Sequence, residues 1–168
     1  AAATDRIRVG AFVFANDFRH PAVLAKEAAT LDLLSDGRLE VGIGAGWLRA
    51  EYEATGIPFD RAGVRIERLG EAIPLIKRLW TEDNVTAQGR FYQATDLTIT
   101  PRPVQAPHPP VMVGGGGQRV LSLAARHAEI VALNPRATPE GVPDRRDITA
   151  EATARKLAWV REAAGARF

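Results

Sequence analysis

Short apolar segments alternate with amphipathic ones along the chain, and this alternation constrains its fold more than any other feature. The segment Arg6-Ile-Arg-Val-Gly-Ala-Phe-Val-Phe14 is β-rich and mostly apolar, as a strand covered on both faces would be. A loop over residues 15–20 leads to Pro21, which suits a first helical position. Leu24, Ala28 and Leu31 then set one apolar face on a helix that Ser35-Asp-Gly-Arg38 stops. Leu39-Glu-Val-Gly-Ile-Gly44 reads as a second strand, followed by an irregular region as far as Ile57-Pro-Phe-Asp60. Asp60 is expected to cap a long helix with Ile66, Leu69, Ile73, Ile76 and Trp80 on its buried face and a kink at Gly70 and Pro74. A polar excursion covers residues 81–110. Val111-Met-Val113 is a third strand, cut off by Gly114-Gly-Gly-Gly117, and a helix over 118–127 turns Val120, Leu121 and Ala124 inward. Glu129-Ile-Val-Ala-Leu133 is a fourth strand, residues 134–147 read as a mobile loop, and a last helix over 150–164 buries Leu157 and Val160.

Four β-α units in strict order point to a parallel sheet with right-handed crossovers. They fit half of a (β/α)8 TIM barrel, and also a small doubly wound sheet. At 168 residues the chain can hold one domain with its own core, but a complete barrel needs about 250 residues. Residues 1–168 are therefore expected to form a single partial barrel domain of the α/β class. The chain starts without Met almost inside its first strand, so the protein is expected to begin further upstream. Residues 1–4 show no signal peptide.

Composition closes several other routes. Basic and acidic residues nearly cancel, 22 against 20, and the arginines are scattered rather than gathered with aromatic residues. That is no nucleic-acid footprint. No apolar run approaches the roughly 18 residues of a membrane span. There is no cysteine, which removes disulfides, thiolate metal sites and a cysteine nucleophile and is compatible with a cytoplasmic protein. Three scattered histidines offer no metal-binding spacing.

The glycine run is the most informative segment for chemistry. Gly114, Gly115, Gly116 and Gly117 lie between a strand and a helix, where unpaired amides and the helix dipole favour an anion. With Gln118 they make a candidate phosphate loop; the plainer alternative is a flexible connection. Gly42-Ile-Gly-Ala-Gly-Trp47 is not a dinucleotide fingerprint, because its glycine spacing differs and no helix opens behind it. Its small residues, Gly44 among them, would let a flat ring lie on the strand ends or would serve close packing of strand on helix. Trp47 is a candidate wall for a substrate pocket. Arg19 and His20 admit a catalytic reading, but a lone histidine before Pro21 reads better as a helix cap.

Taken together, Asn16-Asp-Phe-Arg-His-Pro-Ala-Val-Leu-Ala-Lys-Glu27, the run from Leu31 to Trp47, Pro101-Arg-Pro-Val-Gln105 and Val111-Met-Val-Gly-Gly-Gly-Gly117 resemble the bacterial luciferase-like family of flavin and deazaflavin oxidoreductases. The resemblance runs over nearly the whole chain and is greatest to members dependent on the deazaflavin coenzyme F420. It implies a (β/α)8 barrel of which this chain supplies strands three to six, with the cofactor at the C-terminal strand ends. It also implies cofactor contacts from Phe12, Val13, Asn16, Gly44, the glycine loop and Gln118, with a non-proline cis peptide at Phe12–Val13 beneath the ring. Sugar-phosphate-oxidising relatives carry Glu where this chain has Trp47, which points away from that substrate class. Catalytic groups would come in part from strands outside this chain.

The function this resemblance implies is hydride transfer between coenzyme F420 and a small organic molecule, in a cytoplasmic homodimer with no nucleic-acid or membrane partner. An FMN-dependent monooxygenase keeps the same site. A non-catalytic flavin-binding protein, or a phosphate-binding barrel isomerase, are the readings from other classes. Half a barrel leaves open sheet edges, so the segment alone is expected to be unstable or to pair with another copy.

Overall fold

The computed structural model describes residues 2–138 and 141–168. Its main sheet is built from β1 (Val9–Gly10), β2 (Phe14–Ala15), β3 (Leu39–Gly44), β6 (Val111–Gly115) and β7 (Ile130–Leu133), every pair parallel. The order is β1-β3-β6-β7, with β2 also on β3. Each strand thus lies beside the next parallel strand in the chain, and the order never reverses. A doubly wound sheet reverses at a switch point; this order is the wall of a barrel. β1 and β2 are two pieces of one first strand, shorter than the sequence suggests, and Ile7 before them is exposed.

Side chains alternate across a strand. Val41, Ile43, Val111 and Val113 therefore face the helices and are buried, and Val131 and Leu133 pack on the same core. The helices are α1 (Pro21–Leu34), α2 (Arg49–Thr55), α3 (Ala62–Thr81), α4 (Gln118–His127) and α5 (Ala150–Ala164). The Trp80 indole N–H donates to the Ala25 carbonyl over 2.9 Å and stitches α3 to α1. A Cβ on Gly70 would come 2.8 Å from a Leu123 methyl, so this glycine brings α4 close to α3.

Several sequence expectations are corrected here. Asp60 does not cap α3: Arg61 stands at the cap without a side-chain bond, while the Asp60 carboxylate pairs with Arg68. Gly70 and Pro74 lie inside one continuous helix, α3, and do not break it in two. The irregular region holds α2, which buries only Tyr52. The polar excursion contains an antiparallel hairpin, β4 (Val85–Gln88) and β5 (Gln93–Leu97). Its turn sits on the Glu71 carboxylate, which accepts from the backbone N–H of Phe91 at 3.1 Å and of Tyr92 at 2.7 Å. The segment after β7, read from sequence as a mobile loop, is anchored at Arg136 and at Asp147. Asp147, buried, accepts from the Arg136 N–H at 2.8 Å and pairs with the buried Lys156 ammonium at 2.7 Å. Burial works against the Asp147 charge, but the hydrogen bonds from Lys156 and the Arg136 N–H together with the Lys156 and Arg136 charges outweigh it and hold the carboxyl below its ordinary range.

Leu31 and Leu157 are exposed instead of buried. Each lines an open flank. Leu31 joins Phe14 and Val23 along an apolar cleft of about 1050 Å³ beside β1, and Leu157 joins Leu133 and Phe168 beside β7. The Pro-rich segment is anchored by Asp32, fully buried, which accepts from Val104 N, Gln105 N and the Gln105 side-chain amide at 2.9, 3.0 and 2.7 Å. No helix among the described residues is long and apolar enough to cross a membrane.

Candidate functional site

Because the strands are parallel, their C-terminal ends share one edge. That edge collects residues 12–16, 44–47, 114–118 and 134–136. Between β1 and β2 the chain leaves the ladder, and the Phe12–Val13 peptide is cis, as the resemblance implied. The Ala11 carbonyl oxygen lies only 1.8 Å from where a Cβ on Gly42 would be. The Val13 methyls come 3.1 Å from that same point, 2.9 Å from the corresponding point on Gly44 and 3.4 Å from that on Gly114. Three glycines on two neighbouring strands thus form a seat for the Ala11–Val13 bulge. Phe12 is 70% exposed, so Val13 is the member of the pair held on the sheet. Gly42 and Gly44 make room for this bulge rather than for a helix.

The glycine run divides in two. A Cβ on Gly115 would meet Val120 at 2.3 Å, and one on Gly116 would meet the Asn134 carbonyl and the Arg136 amide at 2.7 Å. Those positions are small because protein fills the space. Gly117 has nothing within 4 Å and caps α4 without a side-chain bond. The first amides of a helix lack intrahelical acceptors, so those of Gln118, Arg119 and Val120 are left without helical partners beside Gly117. Gln118 itself is exposed. Trp47, 56% exposed, stands where the β7-end loop reaches across: a Cβ on Gly141 would lie 3.7 Å from its ring and 3.0 Å from Leu48.

A buried polar network supports the β2 and β3 ends from behind. Asn16, 2% exposed, donates through its side-chain amide to the Tyr92 hydroxyl at 2.9 Å. Asp17 pairs with Arg68 at 2.9 Å and accepts from the Tyr52 hydroxyl at 3.2 Å. Arg65 donates to the carbonyls of Ala45 at 3.1 Å and Gly46 at 3.3 Å. Gly46 adopts φ +74°, and a Cβ there would fall 1.8 Å from the Tyr52 hydroxyl. Burial, reinforced by the Asp17 charge, pushes the Tyr52 phenol well above its ordinary range, and burial raises Tyr92 as well. Burial lowers Arg65, while in Arg68 the hydrogen bonds to Asp60 and Asp17 overcome burial and raise it. Both phenols are therefore neutral at physiological pH, Tyr52 donating to Asp17 and Tyr92 accepting from Asn16.

Of these residues only Asn16 stood out in the sequence. The available signal was slight: Tyr52 and Tyr92 are the only tyrosines, and Arg65 and Arg68 interrupt an apolar helix face at helical spacing. His20 is a cap, as its position before Pro21 suggested: Nδ1 accepts from the Ala22 N–H at 3.2 Å, and Arg19 pairs with Glu27 at 2.9 Å. Among the described residues no cluster of side chains could hold a metal ion.

A parallel βα wall whose glycine-rich strand ends gather on one edge is a segment of a (β/α)8 barrel. The profile of the luciferase-like monooxygenase family matches residues 1–164, and the chain belongs to that family. It is 36% identical over 125 residues to an FMNH2-dependent dimethylsulfone monooxygenase of Pseudomonas putida, covering 74% of this chain and 34% of that protein. It is 41% identical over 127 residues to an F420-dependent glucose-6-phosphate dehydrogenase of Kineococcus radiotolerans, covering 75% and 37%. The crystal structure of the monooxygenase RslO1 from Streptomyces bottropensis superposes with a TM-score of 0.79 at 32% identity, over 98% of this chain and 46% of that one. The F420-dependent tetrahydromethanopterin reductase of Methanopyrus kandleri shares the fold at a TM-score of 0.79, 23% identity and the same 98% coverage, 48% of its own length. The chain spans just over a third of the curated relatives it matches.

Proposed function

We propose that the protein carrying this chain is an oxidoreductase that transfers a hydride between the deazaflavin coenzyme F420 and a small organic substrate. The observation that carries the proposal is the pairing, on one sheet edge, of the Val13 bulge with the open Gly117 end of α4. A flat ring with a phosphate-bearing tail fits this edge. Gly117 leaves space a Cβ would fill, and the helix amides behind it suit an anion. When bound, the deazaflavin would supply the carbon that gives or takes the hydride. The chain's own residues bind and orient. Val13, seated on Gly44, would back the ring, the open Gly117 with Gln118 would hold the phosphate, and Trp47 would shield one side from water. Asn16 and the Tyr52–Asp17–Arg68 network would fix the loops that carry these contacts. In the resemblance, Trp47 replaces the Glu of sugar-phosphate oxidisers, which supports a different substrate class.

An FMN-dependent monooxygenase is the second reading, favoured by the likeness to the Pseudomonas putida enzyme. Fluorescence titration of the complete gene product with the deazaflavin and with FMN separates the two. Tight binding of the deazaflavin alone supports hydride transfer. Preference for FMN moves the reading to the monooxygenase, and binding of neither removes the phosphate-loop argument.

A further inference from the structure

We infer that Asn134 is a polar contact to the edge of the bound ring, held in place by Lys156; this rests on the cofactor reading above. Residues 131 and 133 face the helices, so by strand alternation Asn134 points to the opposite face, the one that carries the bulge. Its Nδ2 lies 3.2 Å from where a Cβ on Gly114 would be, and a Val13 methyl lies 3.4 Å from that same point. The amide and the bulge are thus immediate neighbours on one surface. No hydrogen bond to the Asn134 side chain is made by any described residue.

Its backbone, in contrast, is fixed from both sides. The Asn134 N–H donates to the Gly115 carbonyl at 2.9 Å, and its own carbonyl accepts from the Lys156 ammonium at 2.8 Å. That ammonium is buried and also bonds Asp147. Pro135 follows and restricts the residue before it. A rigid backbone presenting one unspent side-chain amide is the arrangement that a recognition contact needs, because little freedom is lost on binding. The groups it suits are the carbonyl and N–H edges of a flavin or deazaflavin ring, since an amide both donates and accepts. Lys156 acts through Asn134 and is a positioning residue.

The test is fluorescence titration of the complete gene product, as wild type, Asn134→Ala, Asn134→Asp and Lys156→Met, with the deazaflavin and FMN. For whichever ligand the wild type binds, Asn134→Ala should raise Kd roughly tenfold, the loss of one good hydrogen bond, and shift the visible absorption of the bound ring. Asn134→Asp keeps the size but removes the donor, and should weaken binding as much or more. Lys156→Met should move the same absorption band in the same direction while unfolding stays cooperative. Wild-type affinity and spectrum in Asn134→Ala would overturn the inference and leave the cofactor reading standing. Failure of the wild type to bind either ligand would overturn both.

Discussion

Replacing single glycines at the strand ends separates those that serve the fold from the one free to serve a ligand. In Gly42→Ala the new methyl would sit 1.8 Å from the Ala11 carbonyl oxygen, a backbone atom. Real Cβ contacts stop near 3.0 Å, so the Ala11 peptide must retreat by about 1.2 Å or β3 must shift. Such overpacking costs about 2–3 kcal/mol, and at 2–4 °C per kcal/mol the melting temperature should fall by roughly 5–10 °C. Gly117→Ala is the opposite case. Its backbone, at φ −96° and ψ 154°, is open to alanine, and the methyl meets nothing within 4 Å. Stability should change by less than about 1 kcal/mol, because alanine narrows the unfolded ensemble but is a poorer N-cap than glycine. The same methyl intrudes where a phosphate would approach the α4 amides, so cofactor affinity should fall about tenfold or more. Thermal unfolding and ligand titration of both variants in the complete gene product measure this. A Gly117→Ala protein that binds with wild-type affinity would refute the phosphate loop; a Gly42→Ala protein that melts like wild type would refute the glycine seat.

Three further outcomes follow from the buried polar groups. Asp32→Ala strands the Val104 and Gln105 donors around a buried hole and should destabilise by about 3 kcal/mol, read by urea unfolding. Asp147→Ala leaves the Lys156 ammonium buried without its counter-charge; it should lose about 3–5 kcal/mol and free the Arg136 backbone for limited proteolysis, with Lys156→Met added to the same protein recovering part of the loss. Tyr52 has a folded-state pKa raised above its ordinary 10.0, so its contribution is complete below that pH and fades above it, as the unfolded phenol ionises first. Tyr52→Phe should therefore flatten the alkaline fall in stability, and an unchanged slope above about pH 10 would contradict the placement of the phenol beside Asp17.

What could be read from the sequence depended on how local the cause was. The β-α alternation follows from short-range apolar periodicity, and it led to the parallel wall. The hairpin of β4 and β5 escaped because its buried residues, Val85, Tyr92 and Ala94, are too few to make a pattern, and its turn is held by Glu71 from a distant helix. α2 escaped because it is short and polar apart from Tyr52. Leu31 and Leu157 have the spacing of core residues but lie on open flanks, because spacing registers a helix face and not what packs against it. At the site, the glycine run announced itself as a junction between strand and helix. Which glycine serves which neighbour did not, because Val13 and Gly114 meet only in the folded sheet. The Lys156–Asp147 pair was hidden for the same reason: each residue alone looks like ordinary surface charge.

The bulge reverses the weighting that size suggests for Phe12 and Val13. Phe is the larger apolar side chain, and by transfer free energy alone it should dominate the packing of the pair. In the structure its ring is 70% exposed, while the smaller Val13 places both methyls over Gly42, Gly44 and Gly114. Each of those glycines lacks the atom that would otherwise hold Val13 off the sheet, so the contact depends on the shape of the seat and not on the bulk of the side chain. Val13→Ala removes the two methyls that fill it, and no glycine can reach in to close the gap; a loss of about 1–2 kcal/mol is expected. Phe12→Ala removes mostly exposed surface in this chain and should cost less than about 0.5 kcal/mol. Urea unfolding of the complete gene product, or hydrogen exchange at the Gly42 and Gly44 amides, ranks the two. If Phe12→Ala were the more damaging change, Val13 would not be the residue that anchors the bulge, and the ring-backing role assigned to it would pass to Phe12.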